Sequence, residues 1–278
     1  MTKTELQMIR KGYVDHELGQ FRYLECGQGA PLLLLHATSD SATMWEPVLP
    51  LFAQLGYRAV ALDMPGFGGS PVPPSQPDAP TYGRYLREVV HNLGLGRLHV
   101  LGHHLGASLG AQMIAGMNGE VLSFSVYGWS NFDHGPYREV LRGAQPRVFD
   151  REGEAIKRHW IRRWEMSARL LTNPAESRFN EHMAIRTMIA LLQSREWQWA
   201  YQAMGHTDHA ELASRIDCPT LLFAGPRDHC YEETRASVKD FPDARFVALE
   251  WVGVDAPDED PALFCHTVHD FIQARVGS

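Results

Sequence analysis

The sequence predicts an α/β protein with a mostly parallel central sheet and helices on both faces. Three observations support this fold class. Short, continuously apolar runs alternate with longer helical stretches. Glycine-containing turns follow several of these runs. The chain has 278 residues, 44% of them hydrophobic, and is therefore long enough to bury a substantial core.

The first clear strand is the run PLLLL at 31–35, because its unbroken apolarity is typical of a strand covered on both faces. A helix is predicted at 44–55, a strand at 57–62, a helix at 82–93 and a strand at 98–101. A turn at 102–106 then leads into a helix that runs to about residue 117, and a further strand is predicted at 121–127. A proline-rich stretch at 71–80 is interpreted as a surface loop within this unit.

The pattern changes after residue 130. From 131 to 212 the stretches are helical and rich in Trp and Arg, with no convincing strand, which predicts a helical cap inserted into the core. Strand signals return at 219–224 and 245–249, and an amphipathic helix is predicted at 261–274. We therefore assign residues 1–130 and 213–278 to the core and residues 131–212 to the cap.

Composition excludes several classes of function. The 26 Lys and Arg against 33 Asp and Glu give a net charge of −7, which is unlike a protein that binds nucleic acid non-specifically. No apolar run has the length of a membrane span or a signal peptide. The four cysteines lie far apart and indicate neither disulfides nor a zinc knuckle. We expect a cytoplasmic protein that acts on a small molecule, without a nucleic-acid or membrane partner; a homodimer is left open.

Candidate site residues follow the strands, because open parallel sheets bind ligands at the carboxyl ends of their strands. His104 is the middle residue of GHHLG at 102–106, a strand-to-helix elbow whose flanking small residues allow a strained, exposed position. The backbone N–H groups of Ala37 and Leu105 are candidate oxyanion donors. Asp228, in the turn after a late strand, is placed to orient a base.

These features together resemble the α/β-hydrolase superfamily over nearly the whole chain. The resemblance rests on the turn at His36, DMPGFGGS at 63–70, the elbow, GPRD at 225–228 and the helical insertion. It implies a nucleophile at the elbow, an acid after a late strand and a histidine after the last strand, in that order. Of these three, only the acid matches, as Asp228.

The other two positions depart from the superfamily's pattern. His104 stands where the family has Ser, Cys or Asp, so the usual acyl-enzyme or alkyl-enzyme chemistry lacks its attacking group. Aligning Gly253 and the Asp-Pro pair at 260–261 places Val254 at the histidine position, whereas a shift of one residue places Asp255 there. Neither is a base equivalent to histidine at neutral pH.

We interpret the two departures as one change. The imidazole of His104 can extend into the space of the missing histidine and approach Asp228, which would form a His–Asp dyad. Such a dyad suits proton abstraction, water activation or C–C cleavage through an enolate held by the two N–H groups. The predicted function is therefore acid–base chemistry of the hydrolase or lyase type. Two alternatives stay open: a non-catalytic ligand-binding relative, and covalent or cofactor-free oxygenase chemistry at His104.

Aromatic residues predict an apolar or aromatic substrate. His36, Trp45, Trp129 and Val254 are predicted to line the pocket, and some of the cap aromatics to form its roof: Trp160, Trp164, Trp197, Trp199 and Tyr201. His103 is expected to point beneath the elbow. The chain has 14 histidines but no H-E-x-x-H or similar spacing, so no metal or other cofactor is expected.

Overall fold

A single sheet organises the part of the chain that the computed structural model describes, which is residues 8–117, 119–129, 136–146, 150–158, 160–161 and 181–276. Its eight strands lie in the order β1-β2-β4-β3-β5-β6-β7-β8. They are β1 (Arg10–His16), β2 (Gly19–Cys26), β3 (Ala30–Leu35), β4 (Tyr57–Leu62), β5 (Leu98–His103), β6 (Val121–Tyr127), β7 (Thr220–Ala224) and β8 (Ala244–Ala248). The strands from β3 to β8 pair in parallel, which confirms the predicted fold class.

Helices cover both faces of this sheet. The flanking helices are α1 (Leu49–Gln54), α2 (Ala79–Asn92), α3 (Leu105–Ile114), α8 (Tyr231–Ala236), α9 (Ala256–Glu259) and α10 (Pro261–Val276). Alternate residues of β3 belong to two separate hydrophobic clusters, Leu33 and Leu35 to one and Leu32 and Leu34 to the other. Because successive side chains of a strand point to opposite faces, both faces of β3 are buried, as the apolar run predicted.

Two local features differ from the sequence prediction. The helix predicted at 44–55 is a 3₁₀ turn (Ala42–Trp45) followed by α1, because Pro47 between them has no N–H to continue a helical hydrogen-bond ladder. The antiparallel hairpin of β1 and β2 at the sheet edge was not predicted. In β1 only Val14 is buried, so the strand carries almost no hydrophobic signal.

The described part of the predicted cap consists of helices joined by turns and contains no strand. Its helices include α4 (Pro136–Arg142), α5 (Glu181–Gln193), α6 (Trp197–Gly205) and α7 (His209–Ser214). Residues 130–135, 147–149, 159 and 162–180, which include Trp164, lie outside the described residues. Trp197 and Tyr201 pack against the core cluster, so these two aromatics serve packing. The division into core and cap stays a prediction.

A buried ion pair joins α5 to the segment that follows β8. Arg186 donates two hydrogen bonds to the carboxylate of Asp258, at 3.2 and 2.6 Å, and both side chains are almost fully buried. Removing one partner of such a pair leaves an uncompensated buried charge, so the contact fixes α5 against α9. Among the described residues, no helix combines the length and apolarity needed to cross a membrane.

His99 gives a prediction about stability and pH. It is buried in β5 and hydrogen bonded to Ser123, and burial lowers its pKa to about 4. Between about pH 6.5 and 4 the unfolded chain therefore binds a proton at this residue that the folded chain does not. The contribution of neutral His99 to the free energy of unfolding is therefore fully present above about pH 6.5, and it is lost as the pH falls from about 6.5 to about 4.

We expect His99→Gln to remove this contribution. The difference in unfolding free energy between wild type and variant, measured by urea titration, should shrink by about 2 kcal/mol from pH 7 to pH 5. His91→Gln, at an exposed position of α2, is the control. A difference that does not change with pH would contradict the assignment.

Candidate active site

The carboxyl ends of β3, β5 and β7 meet along one edge of the sheet, because these strands run parallel. His36 and Ala37 follow β3, His104 follows β5, and Asp228 lies in the turn after β7. Positions far apart in the chain are thereby brought to a common edge, where open sheets bind their ligands.

His104 occupies a strained backbone conformation at the elbow. Its φ of 47° and ψ of −110° lie between the end of β5 and the start of α3. A Cβ atom at Gly102 would lie 2.4 Å from Cα of Ala107, and one at Gly106 would lie 2.2 Å from the carbonyl oxygen of Leu35. Only glycine therefore fits on either side of the elbow. Strain of this kind costs about 1–3 kcal/mol and is typical of functional positions.

The structure places His104 and Asp228 in direct contact. Nε2–H of His104 donates to Oδ2 of Asp228 at 2.8 Å; the His104 side chain is 13% exposed and that of Asp228 is fully buried. Burial alone would raise the pKa of Asp228. Three opposing effects hold that pKa well below its ordinary value: the charge of His104, its hydrogen bond to the carboxylate, and the hydrogen bond from the backbone N–H of Cys230. The carboxylate is therefore ionised at neutral pH.

The second ring nitrogen of His104 remains available. In the described part of the chain nothing forms a hydrogen bond with Nδ1. In the neutral tautomer that has its proton on Nε2, Nδ1 carries the lone pair. The side chain thus presents a basic nitrogen backed by a carboxylate, which is the arrangement that general-base chemistry requires.

Gly128, just after β6, provides the room for this ring. Its φ is +72°, and a Cβ atom there would lie 2.1 Å from Cδ2 and 2.2 Å from Nε2 of His104. The imidazole therefore fills the volume that any larger residue at 128 would take. The sequence predicted this space at the missing histidine near Val254, whereas the structure places it above Gly128.

His103 points beneath the elbow, as expected. It is fully buried, and its Nε2–H donates to the carbonyl oxygen of Val254 at 2.8 Å. Burial, together with the neighbouring charge of His104, holds the pKa of His103 well below its ordinary value. His103 is therefore neutral and acts as a structural support for the segment that contains Val254.

Two further contacts fix the segment at Val254. The hydroxyl of Tyr127 donates to the carbonyl oxygen of Gly253, and the N–H of Gly253 donates to both carboxylate oxygens of Glu259 at 3.1 Å. Glu259 also accepts from Arg227 at 2.6 Å, and burial raises the pKa of Glu259 to about 7. Val254 is half-buried and Asp255 is buried at the start of α9.

The candidate oxyanion donors lie on two tightly packed segments. Leu105 is the first residue of α3, where backbone N–H groups have no acceptor within the helix. The close approach of Gly106 to the end of β3 brings this helix start against the turn that contains Ala37. His36 braces that turn: Nδ1–H donates to the Ala37 carbonyl at 2.8 Å, and Nε2 accepts from the Met64 N–H at 3.1 Å. Donation to an oxyanion by Ala37 and Leu105 stays a prediction.

The residues predicted to line the pocket lie deeper than expected. His36, Trp45 and Trp129 have no exposed surface, so they pack below any solvent-accessible pocket instead of lining it. Trp45 packs against His103 and Phe264, and Trp129 against Phe241. Large aromatic rings near strand ends are drawn into the core because burial removes so much apolar area from water. Only Val254 of the four is partly exposed.

Two residues beside the dyad were not identified from the sequence. The ring of His229 is perpendicular to that of His104 at 4.9 Å, and its Nδ1 lies 3.6 Å from Oδ1 of Asp228. Cys230 is buried, and its N–H donates to the same Oδ1 at 2.8 Å. One donor atom from each of His104, Asp228, His229 and Cys230 lies within 4.8 Å of the others, so these residues could hold a metal ion. The run Asp-His-Cys at 228–230 was the available signal.

Comparison with known proteins agrees with this architecture. A model of the alpha/beta hydrolase fold family matches residues 30–256, and the chain belongs to that family. The fluoroacetate dehalogenase of a Burkholderia species is 27% identical over 241 residues, covering 72% of each chain. The (E)-2-((N-methylformamido)methylene)succinate hydrolase of Acinetobacter baylyi is 25% identical over 214 residues, covering 74% of this chain and 75% of the relative. Relatives of the chain are thus hydrolases and dehalogenases.

A solved structure extends the likeness to the whole fold. The thermophilic esterase of Thermogutta terrifontis superposes with a TM-score of 0.74 at 19% identity, covering 95% of this chain and 98% of the esterase. This likeness concerns the fold alone.

Substitution of Gly128 tests the placement of the His104 ring. Gly128→Ala should cost about 2–4 kcal/mol of unfolding free energy, because it combines a left-handed backbone with an overpacked contact on the imidazole. Gly119→Ala is the matched control, since Gly119 has a φ of +69° but no heavy atom within 4 Å of its Cβ position. The control should lose only about 1–2 kcal/mol. Equal losses in urea unfolding would show that the ring does not rest on Gly128.

Proposed function

We propose that the protein is an enzyme that uses His104 as a general base, backed by Asp228, on a small and largely apolar or aromatic carbonyl compound. The observation that carries the proposal is the 2.8 Å hydrogen bond between the largely buried imidazole of His104 on the elbow and the fully buried carboxylate of Asp228. A serine, cysteine or aspartate nucleophile is absent from the elbow itself. The reaction is therefore of the hydrolase or lyase type, with the attacking group activated rather than supplied by the chain.

In the hydrolytic form of the reaction, Nδ1 of His104 removes a proton from water as the water oxygen attacks the substrate carbonyl. Asp228 stabilises the imidazolium that forms, and the N–H groups of Ala37 and Leu105 donate hydrogen bonds to the developing oxyanion. When the tetrahedral intermediate collapses, His104 returns the proton to the leaving group. A carbon leaving group makes the same cycle a C–C bond cleavage.

The relatives support hydrolysis as the general class of reaction. By their names, one removes halogen from fluoroacetate and another hydrolyses a substituted succinate, so both act on small carboxylates. We therefore include small carboxylates in the substrate panel, beside aryl esters and 1,3-diketones. Products are measured by chromatography, which detects hydrolysis and C–C cleavage alike.

Two alternative functions of the site predict different results with the same substrate panel. A ligand-binding relative without catalysis would bind a member of the panel saturably and release it unchanged. Covalent chemistry at His104 would leave an adduct on that residue, which mass spectrometry of the quenched protein detects. The general-base proposal requires turnover without such an adduct.

Replacement of His104 tests the base directly. On any substrate that is turned over, His104→Gln should lower kcat by about 10²–10⁴, the usual contribution of general acid–base catalysis. His182→Gln is the control, because His182 lies on α5 with its side chain 73% exposed. A loss below about threefold for His104→Gln, or an equal loss caused by replacing a serine, would refute the proposal.

The dyad also predicts how two substitutions combine. Asp228→Asn removes the charge that stabilises the imidazolium, so it should lower kcat, and adding it to His104→Gln should cost little more. The double-mutant cycle should give a coupling energy of at least about 1 kcal/mol, which is typical of residues in direct contact. Additive effects would show that the two residues act separately.

A further inference from the structure

His229 and Cys230 are two strong metal-binding side chains that the proposed reaction does not use. They follow Asp228 directly in the turn after β7. Together with Asp228 and His104 they form one cluster of four side chains. Such a concentration of histidine nitrogen and cysteine sulfur around a buried carboxylate is the usual composition of a transition-metal site.

We propose that His104, Asp228, His229 and Cys230 bind a divalent transition metal of the Zn²⁺ class, and that the bound ion takes the place of the His104–Asp228 hydrogen bond. The ion would be held by one ring nitrogen of each histidine, one carboxylate oxygen and the Cys230 sulfur. On binding, the thiol gives its proton to solvent, and the remaining ring proton of His104 resides on the nitrogen away from the metal.

The chemistry of the donors selects the class of metal. Two nitrogens, one oxygen and one thiolate sulfur match the tetrahedral sites of Zn²⁺ and of Co²⁺ in its place. Mg²⁺ and Ca²⁺ prefer sets made only of oxygen, so neither should compete. The carboxylate of Asp228 and the thiolate of Cys230 together neutralise the two charges of the ion.

The distances require only small movements, in which the His104–Asp228 pair opens and wider pairs contract. Zinc bonds of 2.0–2.3 Å in a tetrahedron place neighbouring donor atoms about 3.3–3.6 Å apart. Nδ1 of His229 lies 3.6 Å from Oδ1 of Asp228, Nε2 of His104 lies 2.8 Å from Oδ2, and no pair among the four donors exceeds 4.8 Å. Shifts of about an ångström therefore bring all four donor atoms to the spacing of a tetrahedral site.

The same cluster is accessible and partly held in place. His229 is 53% exposed, so it can turn toward an ion that arrives from solvent. Asp228 is fixed by the N–H of Cys230, and the His104 ring by Gly128. Because two of the donors are already held in place, closing on a metal orders few further side chains and loses little conformational entropy.

Metal binding and catalysis would exclude each other. An ion on His104 and Asp228 breaks the contact that supports the base, so Zn²⁺ should inhibit turnover and a chelator should restore it. The inhibition rests on the proposed function, whereas the metal site does not.

Cobalt spectroscopy tests the site without any substrate. Titration of the full-length, reduced protein with Co²⁺ should produce visible ligand-field bands of tetrahedral cobalt and a near-ultraviolet sulfur-to-cobalt band, and Zn²⁺ should displace both. Cys230→Ser should lose the sulfur band. His229→Gln should weaken cobalt binding at least about tenfold, because even residues that only hydrogen bond to a metal ligand cost that much when they are replaced. Both substitutions preserve the approximate size of the side chain, and circular dichroism verifies the fold.

Matched controls identify the residues responsible. Cys218→Ser changes a buried cysteine that precedes the start of β7, at the opposite end of the strand from the cluster. His182→Gln changes an exposed histidine on α5. Both variants should leave the bands unchanged. Absence of the bands in wild type, or bands that persist unaltered in Cys230→Ser and His229→Gln, would overturn the metal site. Bands accompanied by unaltered turnover at saturating Zn²⁺ would uphold the metal site and overturn the proposed role of His104.

Discussion

The hydrogen bond between His104 and Asp228 is the contact on which the carboxyl edge of the sheet depends. Asp228 is a fully buried carboxylate, and an ionised group in that position is tolerated only with a charged or hydrogen-bonding partner. The elbow strain at His104 and the glycine at 128 both serve to bring the imidazole to that partner. The contact that satisfies the buried carboxylate is therefore also the contact on which the proposed function depends.

Below this contact, a network of neutral groups keeps the edge rigid. His103 holds the carbonyl of Val254, and Tyr127 connects Gly225 after β7 with Gly253 after β8. The segment that contains the catalytic histidine in the superfamily's pattern is thus retained here as a structural tie. Because its members are buried and largely uncharged, the network positions Asp228 without adding charges that would compete with His104.

The sequence was informative where a local rule determines the structure. Strands at 57–62 and 121–127 were predicted to the residue, because buried parallel strands are mostly apolar and turn residues bound these two runs on both sides. The elbow followed from its two glycines, and the approach of Asp228 from the order of turns along a parallel sheet.

Gly128 was missed because its need for glycine comes from a ring 24 positions away. His229 and Cys230 were missed because helical spacing rules do not apply to adjacent residues of a turn, and the depth of Trp45 and Trp129 depends on packing that no local pattern records.

The volume above Gly128 also limits how the elbow can change. A serine at position 104 would leave that volume empty, and its hydroxyl would lack the histidine of the superfamily's pattern, because Val254 and Asp255 stand on the segment after β8. A serine triad at this elbow therefore needs two replacements, one at 104 and one at 254 or 255. The order of these replacements matters, because replacing His104 first removes one member of the present pair, whereas introducing a histidine after β8 first keeps both His104 and Asp228.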